Sequence, residues 1–153
     1  MKVVILAGGF GTRIGEYTKT IPKPLIKISG KPILVHIMEL YSRYGFKEFY
    51  IALGYKGNVI KKFFKENNFK KWKINLVETG KNTMTGGRLK RLKKYFKKNE
   101  TFMMTYGDGM SNVNLKKLLN FHKKNKKIAT LTAVRPPARF GALKISGKRV
   151  KYF

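Results

Sequence analysis

Val3, Val4, Ile5, Leu6 and Ala7 are all apolar, and Gly8 and Gly9 follow at once. A strand with one wet face alternates, whereas an unbroken run is what a parallel strand covered on both faces requires. Layers of helix must therefore flank it, and the rest of the chain supplies them. Ile33, Leu34, Ile37, Met38 and Tyr41 fall at helical spacing between Pro32 and Tyr44, with Gly45 as the stop. Glu48–Leu53 reads as a second strand, Gly54-Tyr55-Lys56-Gly57 as a turn, and Asn58–Glu66 as a helix. Ile74–Glu78 is a third strand, Thr79–Gly86 a polar loop, and Gly87–Lys97 a basic helix. Thr101–Thr105 is a fourth strand ending at Tyr106-Gly107-Asp108-Gly109, and Asn112 or Asn114 is placed to cap a helix through Lys124. Ile128–Val134 reads as a fifth strand, and Ala142–Ile145 with Arg149–Phe153 as a hairpin around Ser146-Gly147. This βαβαβ order predicts an α/β domain with a mostly parallel sheet flanked by helices.

Composition narrows the function classes. At 153 residues and 42% hydrophobic, the chain can bury the core of one domain. The absence of cysteine excludes disulfide frameworks, thiolate metal sites and cysteine nucleophiles. No apolar run approaches the roughly 20 residues of a bilayer span. The N-terminal run is five residues long and breaks into glycine, so it reads as a buried strand of a cytoplasmic protein, not a signal peptide. The net charge of +28 points towards nucleic acid or an anionic membrane. The details point away from a specific reader of either. The 35 basic residues are 28 Lys and only seven Arg, spread as pairs such as Lys61-Lys62, Lys93-Lys94 and Lys123-Lys124. Phosphate and base readers favour the bidentate fork of Arg, and no aromatic stacking pattern accompanies these pairs. The expectation is no specific nucleic acid and no membrane partner.

Ligands of open α/β sheets gather beyond the carboxyl ends of the strands. Three polar loops fall there: Gly8–Arg13, Thr79–Arg88 and Tyr106–Gly109. The first is neither a dinucleotide fingerprint, since Ile14 stands where a third glycine belongs, nor a P-loop. It still offers backbone N–H groups for close approach to a phosphate or base, with Arg13 as an anion clamp. Proline on both sides of Lys23 presents that cation from a stiff backbone. Asp108 is the only Asp in the chain and lies between two glycines after an apolar strand, where a carboxylate suits Mg²⁺. An Asp-Gly turn is the alternative. His36 and His122 sit in helical segments and read as structural.

Together these pieces resemble the sugar-phosphate nucleotidyltransferases. The match runs through Leu6-Ala7-Gly8-Gly9-Phe10-Gly11-Thr12-Arg13, Pro22-Lys23-Pro24 and Gly30-Lys31-Pro32-Ile33-Leu34. Gly54-Tyr55-Lys56-Gly57, Thr83–Arg91, Tyr106-Gly107-Asp108-Gly109 and Pro136–Leu143 are similar to the glucose-1-phosphate cytidylyltransferase branch. The resemblance covers residues 1–153 and implies a Rossmann-like nucleotidyltransferase domain with a mostly parallel mixed sheet. The reaction it implies is CTP plus α-D-glucose 1-phosphate giving CDP-glucose and pyrophosphate, a step of nucleotide-sugar biosynthesis of the lipopolysaccharide O-antigen type, with Mg²⁺ as cofactor. Alternatives that stay open are thymidylyl or uridylyl transfer to a hexose 1-phosphate, and a non-catalytic, basic nucleic-acid-binding domain.

Carried over by position, the resemblance implies that Leu6, Ala7, Gly8, Gly9, Phe10 and Gly11 line the nucleotide. Thr12 and Arg13 would hold the triphosphate, and Lys23 would stabilise charge on the transferring phosphoryl group. Thr83 and Arg88 would close over the nucleotide, Asp108 would bind Mg²⁺, and Gly141 would meet the sugar. Arg13, Lys23 and Asp108 are thus the implied catalytic set. Two departures stand out. The family makes a longer excursion where this chain has only Asn67–Lys73, which leaves the homo-oligomeric state open. It also continues past a point equivalent to Phe153 with a Glu-Lys-Pro segment and a second Mg²⁺-binding aspartate. The expectation is therefore a domain cut short at its C-terminal end, a nucleotide-binding half with little or no turnover.

Overall fold

The computed structural model describes residues 1–11, 21–134 and 144–152. Thr12, Arg13, Gly141 and most of the Pro136–Phe153 segment's first half lie outside the described residues. The chain divides into two units, Met1–Lys116 and Lys117–Phe153.

The first unit is built on a four-stranded sheet of β1 (Lys2–Leu6), β4 (Glu48–Leu53), β5 (Lys73–Glu78) and β6 (Met103–Tyr106). Their order is β5-β4-β1-β6, and every pairing is parallel. β1 is central, which explains its unbroken apolar run: Val3, Val4 and Ile5 are fully buried. Full burial of one such side chain is worth about 1.5–3 kcal/mol. Helices α1 (Ile33–Arg43), α2 (Gly57–Glu66) and α3 (Thr85–Leu92) follow the first strands, and α4 (Leu115–Asn125) follows β6. A 3-10 turn over Lys93–Tyr95 extends α3, so the basic helix starts and stops earlier than its composition predicts.

Local chemistry accounts for the ends of α1. Gly45 takes φ of 87°, which only glycine adopts at little cost. Its N–H donates to the Ser42 carbonyl at 2.9 Å, and that of Phe46 to Tyr41 at 3.1 Å. Those two bonds form a Schellman closure, and Phe46 is buried behind it. Before α1, β2 (Lys27–Ile28) and β3 (Lys31–Pro32) form a small antiparallel hairpin. Ser29 and Gly30 both have positive φ, as a type I′ turn demands. This hairpin goes beyond the elements expected from the sequence, although its Ser-Gly dipeptide is a usable signal.

In the second unit, β7 (Lys144–Ser146) and β8 (Arg149–Tyr152) form the expected antiparallel hairpin. The expected fifth strand, Ile128–Val134, is not one: these residues carry no strand pairing among the described residues. Ile128, Leu131 and Val134 are exposed. β-branched composition predicts a strand only where a partner edge receives it, and propensity alone does not supply one. His122 Nδ1 lies 2.9 Å from the Thr130 hydroxyl and His36 Nε2 lies 3.0 Å from the Ile28 carbonyl, so each histidine ties down a neighbouring segment. Among the described residues, no helix is long and apolar enough to cross a membrane.

Candidate functional site

The strand order locates the site more sharply than the loops did. The chain moves from β1 outward to β4 and β5, then returns to the other side of β1 for β6. That reversal opens a crevice at the carboxyl ends of β1 and β6, where ligands of such sheets bind. Gly8–Gly11 leaves β1 at this point and Gly107-Asp108-Gly109 leaves β6.

The β6 side is joined by the Lys23–Leu25 3-10 turn. The Gly107 N–H donates to the Leu6 carbonyl at 2.9 Å. A Cβ at Gly107 would stand 3.0 Å from Pro24 Cγ and 3.1 Å from the Leu6 oxygen. The missing side chain thus lets Pro24 seat on the strand end, and Pro22, Pro24 and Leu25 are buried while Lys23 between them is half-exposed. Lys23 and Asp108 therefore belong to neighbouring loops.

Asp108 is exposed. Among the described residues, Glu39, Glu48, Glu66, Glu78 and Glu100 all form ion pairs with lysines, and Asp108 forms none. Among them, too, no three His, Cys, Asp or Glu side chains gather as a metal cluster. A lone carboxylate with room around it fits Mg²⁺, which keeps waters and takes its other ligands from substrate phosphates.

The β4 and β5 side is held by Arg88 of α3, only 5% exposed. Nη1 donates to the Leu53 carbonyl (3.0 Å), the Thr79 hydroxyl (2.7 Å) and the Gly80 carbonyl (2.9 Å). Nη2 donates to the carbonyls of Gly8 (2.8 Å) and Lys81 (3.4 Å). One guanidinium thereby joins the ends of β1, β4 and β5. Burial first, and the neighbouring Arg91 second, pull its pKa below the usual arginine value. No carboxylate answers it in these bonds; the partners are carbonyl dipoles and one hydroxyl. Cβ atoms at Gly8 or Gly54 would stand 2.2 Å and 2.5 Å from Arg88 Nη1, so both glycines make room for the fork. Arg88 is thus buried against the glycine loop and holds it at the Gly8 carbonyl.

Thr83 sits between two glycines: a Cβ at Gly80 would come within 2.7 Å of its hydroxyl and one at Gly87 within 2.8 Å of its methyl. Leu6 ends β1 and the next two residues, Ala7 and Gly8, are also buried, while Gly9 and Phe10 are exposed. The Phe10 ring packs on Tyr55 at 5.2 Å, and the Tyr55 N–H donates to the Gly8 carbonyl at 3.2 Å. Tyr55 and the buried Thr79 are not among the residues expected at the site from the sequence. The Gly54-Tyr55 step after a strand was the one available signal for the first, and none marked the second.

Comparison with known proteins agrees with this geometry. The nucleotidyl transferase family matches residues 2–153. Glucose-1-phosphate cytidylyltransferase of Salmonella typhi is 48% identical over 174 aligned positions, covering 100% of this chain and 68% of the relative. The probable glucose-1-phosphate cytidylyltransferase of Bacillus subtilis is 42% identical, with the same two coverages of 100% and 68%. Among solved structures, HddC from Yersinia pseudotuberculosis complexed with GMP-PN superposes with a TM-score of 0.68 at 33% identity. That match covers 79% of this chain and 53% of HddC, so the chain spans about half the length of the solved relative. A central parallel sheet, a glycine loop at its switch point and a full-length match agree: the chain belongs to the nucleotidyl transferase family, on the branch of the glucose-1-phosphate cytidylyltransferases.

Proposed function

We propose that this chain serves transfer of a cytidylyl group from CTP to α-D-glucose 1-phosphate, with release of pyrophosphate. The observation that carries the reading is Asp108. In a chain with 35 basic and seven acidic residues, it is the one described carboxylate without an ion pair, and it stands at the β1–β6 crevice.

In the proposed reaction, a phosphate oxygen of glucose 1-phosphate attacks the α-phosphorus and forms the new P–O bond. The bond from the α-phosphorus to the bridging oxygen breaks in line, and its electron pair leaves with pyrophosphate. Such a step needs positioning and charge neutralisation, not a side-chain nucleophile. The loop Leu6–Gly11 holds the nucleotide through its backbone, with the Phe10 and Tyr55 rings beside it. Arg88 fixes the Gly8 carbonyl from below, and Thr83 lines the β5 side. Lys23 meets charge that develops on the transferring phosphoryl group. Asp108 would hold Mg²⁺, which when bound neutralises phosphate charge. Thr12 and Arg13 for the triphosphate and Gly141 for the sugar complete the proposal.

Calorimetric titration of the chain with Mg²⁺ and CTP, UTP, dTTP or GTP in turn tests it, with tightest binding expected for CTP. Tighter binding of dTTP or UTP would move the assignment to another transferase. Submicromolar affinity for single-stranded oligonucleotides at physiological salt, where purely electrostatic attraction weakens, would favour a nucleic-acid role.

A further inference from the structure

A second concentration of charge lies at the other end of the sheet. Lys31, Glu39, Ser42, Arg43, Lys47 and Lys71 line an open cleft of about 510 Å³. Lys47 immediately precedes β4 and Lys71 lies just before β5, so the cleft is at the amino ends of these strands. The six residues of β4, at about 3.3 Å per residue, put roughly 20 Å between it and the carboxyl-end loops. Four cations face one carboxylate, a formal excess of three positive charges.

Three features separate this cleft from the lysine-rich helix faces elsewhere. First, Glu39 organises it: Lys31 Nζ donates to both carboxylate oxygens at 2.9 and 2.8 Å, and Lys71 Nζ is 3.8 Å away. Those lysines hold the Glu39 pKa below its usual value, so the carboxylate stays charged and keeps both in place. Second, Lys71 is fixed from behind by the Trp72 ring, 4.5 Å from its ammonium. Arg43 and Lys47 form no ion pair among the described residues, so their charges face the cleft unanswered. Third, the adjoining C-terminus of α1, which would ordinarily repel an anion, is closed: the Ser42 and Tyr41 carbonyls accept from Gly45 and Phe46.

We propose that this cleft binds a multiply charged phosphate anion of the pyrophosphate class, at a site separate from the carboxyl-end crevice. The Arg43 fork and the Ser42 hydroxyl supply directed donors, and the lysines supply point charges. An anion of two or more charges relieves the repulsion among the cations, which a singly charged carboxylate does less well.

Titrating the 153-residue chain with sodium pyrophosphate at constant ionic strength, while following the Arg43 Nε–Hε NMR signal, tests the proposal locally. The signal is assigned by its loss in Arg43→Lys. A saturable shift is expected, with affinity about tenfold weaker in Lys47→Gln, which corresponds to loss of one charge-assisted contact. The shift should persist in Lys23→Ala, because that residue belongs to the other end of the sheet. A linear shift that never saturates, or equal weakening by Lys116→Gln on α4, would reduce the effect to general polyanion attraction and overturn the site. Acetate saturating as readily as pyrophosphate would overturn the phosphate class.

Discussion

Lys2, Lys31 and Lys73 lie towards the amino ends of the sheet, and each has a carboxylate: Glu100 at 3.1 Å, Glu39 at 2.8 Å and Glu48 at 3.0 Å. At the carboxyl ends the arrangement is different. Arg88 and Arg91 are bound to carbonyls and a hydroxyl, and Asp108 forms no described ion pair. Glu78, at the end of β5, pairs outward with Lys61 of α2 at 2.6 Å. The Lys31 and Lys73 side chains are exposed, and ion pairs of exposed lysines contribute little to stability because water screens them, whereas the Lys2–Glu100 pair is partly buried. A buried guanidinium is another matter, since losing it strands several polar groups at once. At Lys31 and Lys73 the amino end can therefore lose a charge cheaply, while the carboxyl end keeps its loops in place with one side chain and has an acid with no ion pair among the described residues.

The sharpest way to break this contrast is Arg88→Ala. It removes the guanidinium bonds to the Gly80 carbonyl and the Thr79 hydroxyl, and one of the donors to each of the Gly8 and Leu53 carbonyls, so destabilisation of about 3 kcal/mol is expected from a urea unfolding midpoint. Gly8→Ala comes next. Its Cβ would sit 2.2 Å from Arg88 Nη1, and displacing a fork pinned by five bonds should cost about 1–3 kcal/mol. All three of the nearest atoms belong to Arg88, so in an Arg88→Ala background the added cost should fall within about 0.5 kcal/mol. An additive double variant would mean that Gly8 is constrained by something else.

A smaller effect is expected at the amino end. Lys31 lowers the Glu39 pKa, so the pair stabilises the fold above the unfolded carboxylate value of 4.5 and loses that contribution as pH falls through the folded value. Glu39→Gln should flatten the acid limb of the stability profile by less than about 1 kcal/mol and leave the neutral limb's shape unchanged. A larger acid effect would make the amino-end pairs as important as Arg88.

Asp108→Asn should change folding stability least, within about 0.5 kcal/mol, since the residue is exposed and has no ion pair among the described residues. Yet it should abolish the strengthening of CTP binding by Mg²⁺ in a calorimetric titration. Unchanged Mg²⁺ dependence would remove Asp108 from the metal site. In a longer version with the length of its relatives, Lys23→Ala should lower turnover, read as pyrophosphate release, more than CTP affinity, because its partner is charge that develops in the transition state. Loss of affinity alone would make Lys23 a ground-state contact.

Features governed by near neighbours were legible in the sequence. Strand β4 runs over Glu48–Leu53 as its pattern predicts, and Gly45 ends α1 through bonds that span only a few residues. Periodicity and turn chemistry act over short distances, so the chain carries them locally. Gly8–Gly11 and Asp108 were likewise visible as glycine-flanked polar steps at strand ends. What tertiary structure alone decided is which of those ends meet. The order β5-β4-β1-β6 selects the β1–β6 crevice, and no local pattern encodes strand order. The same holds for Arg88, whose Gly8 partner is 80 residues away, and for Ile128–Val134, whose strand-like composition found no described edge to pair with. Propensity is a property of a segment, whereas a hydrogen-bond partner or a sheet neighbour is chosen by the packing of the whole chain.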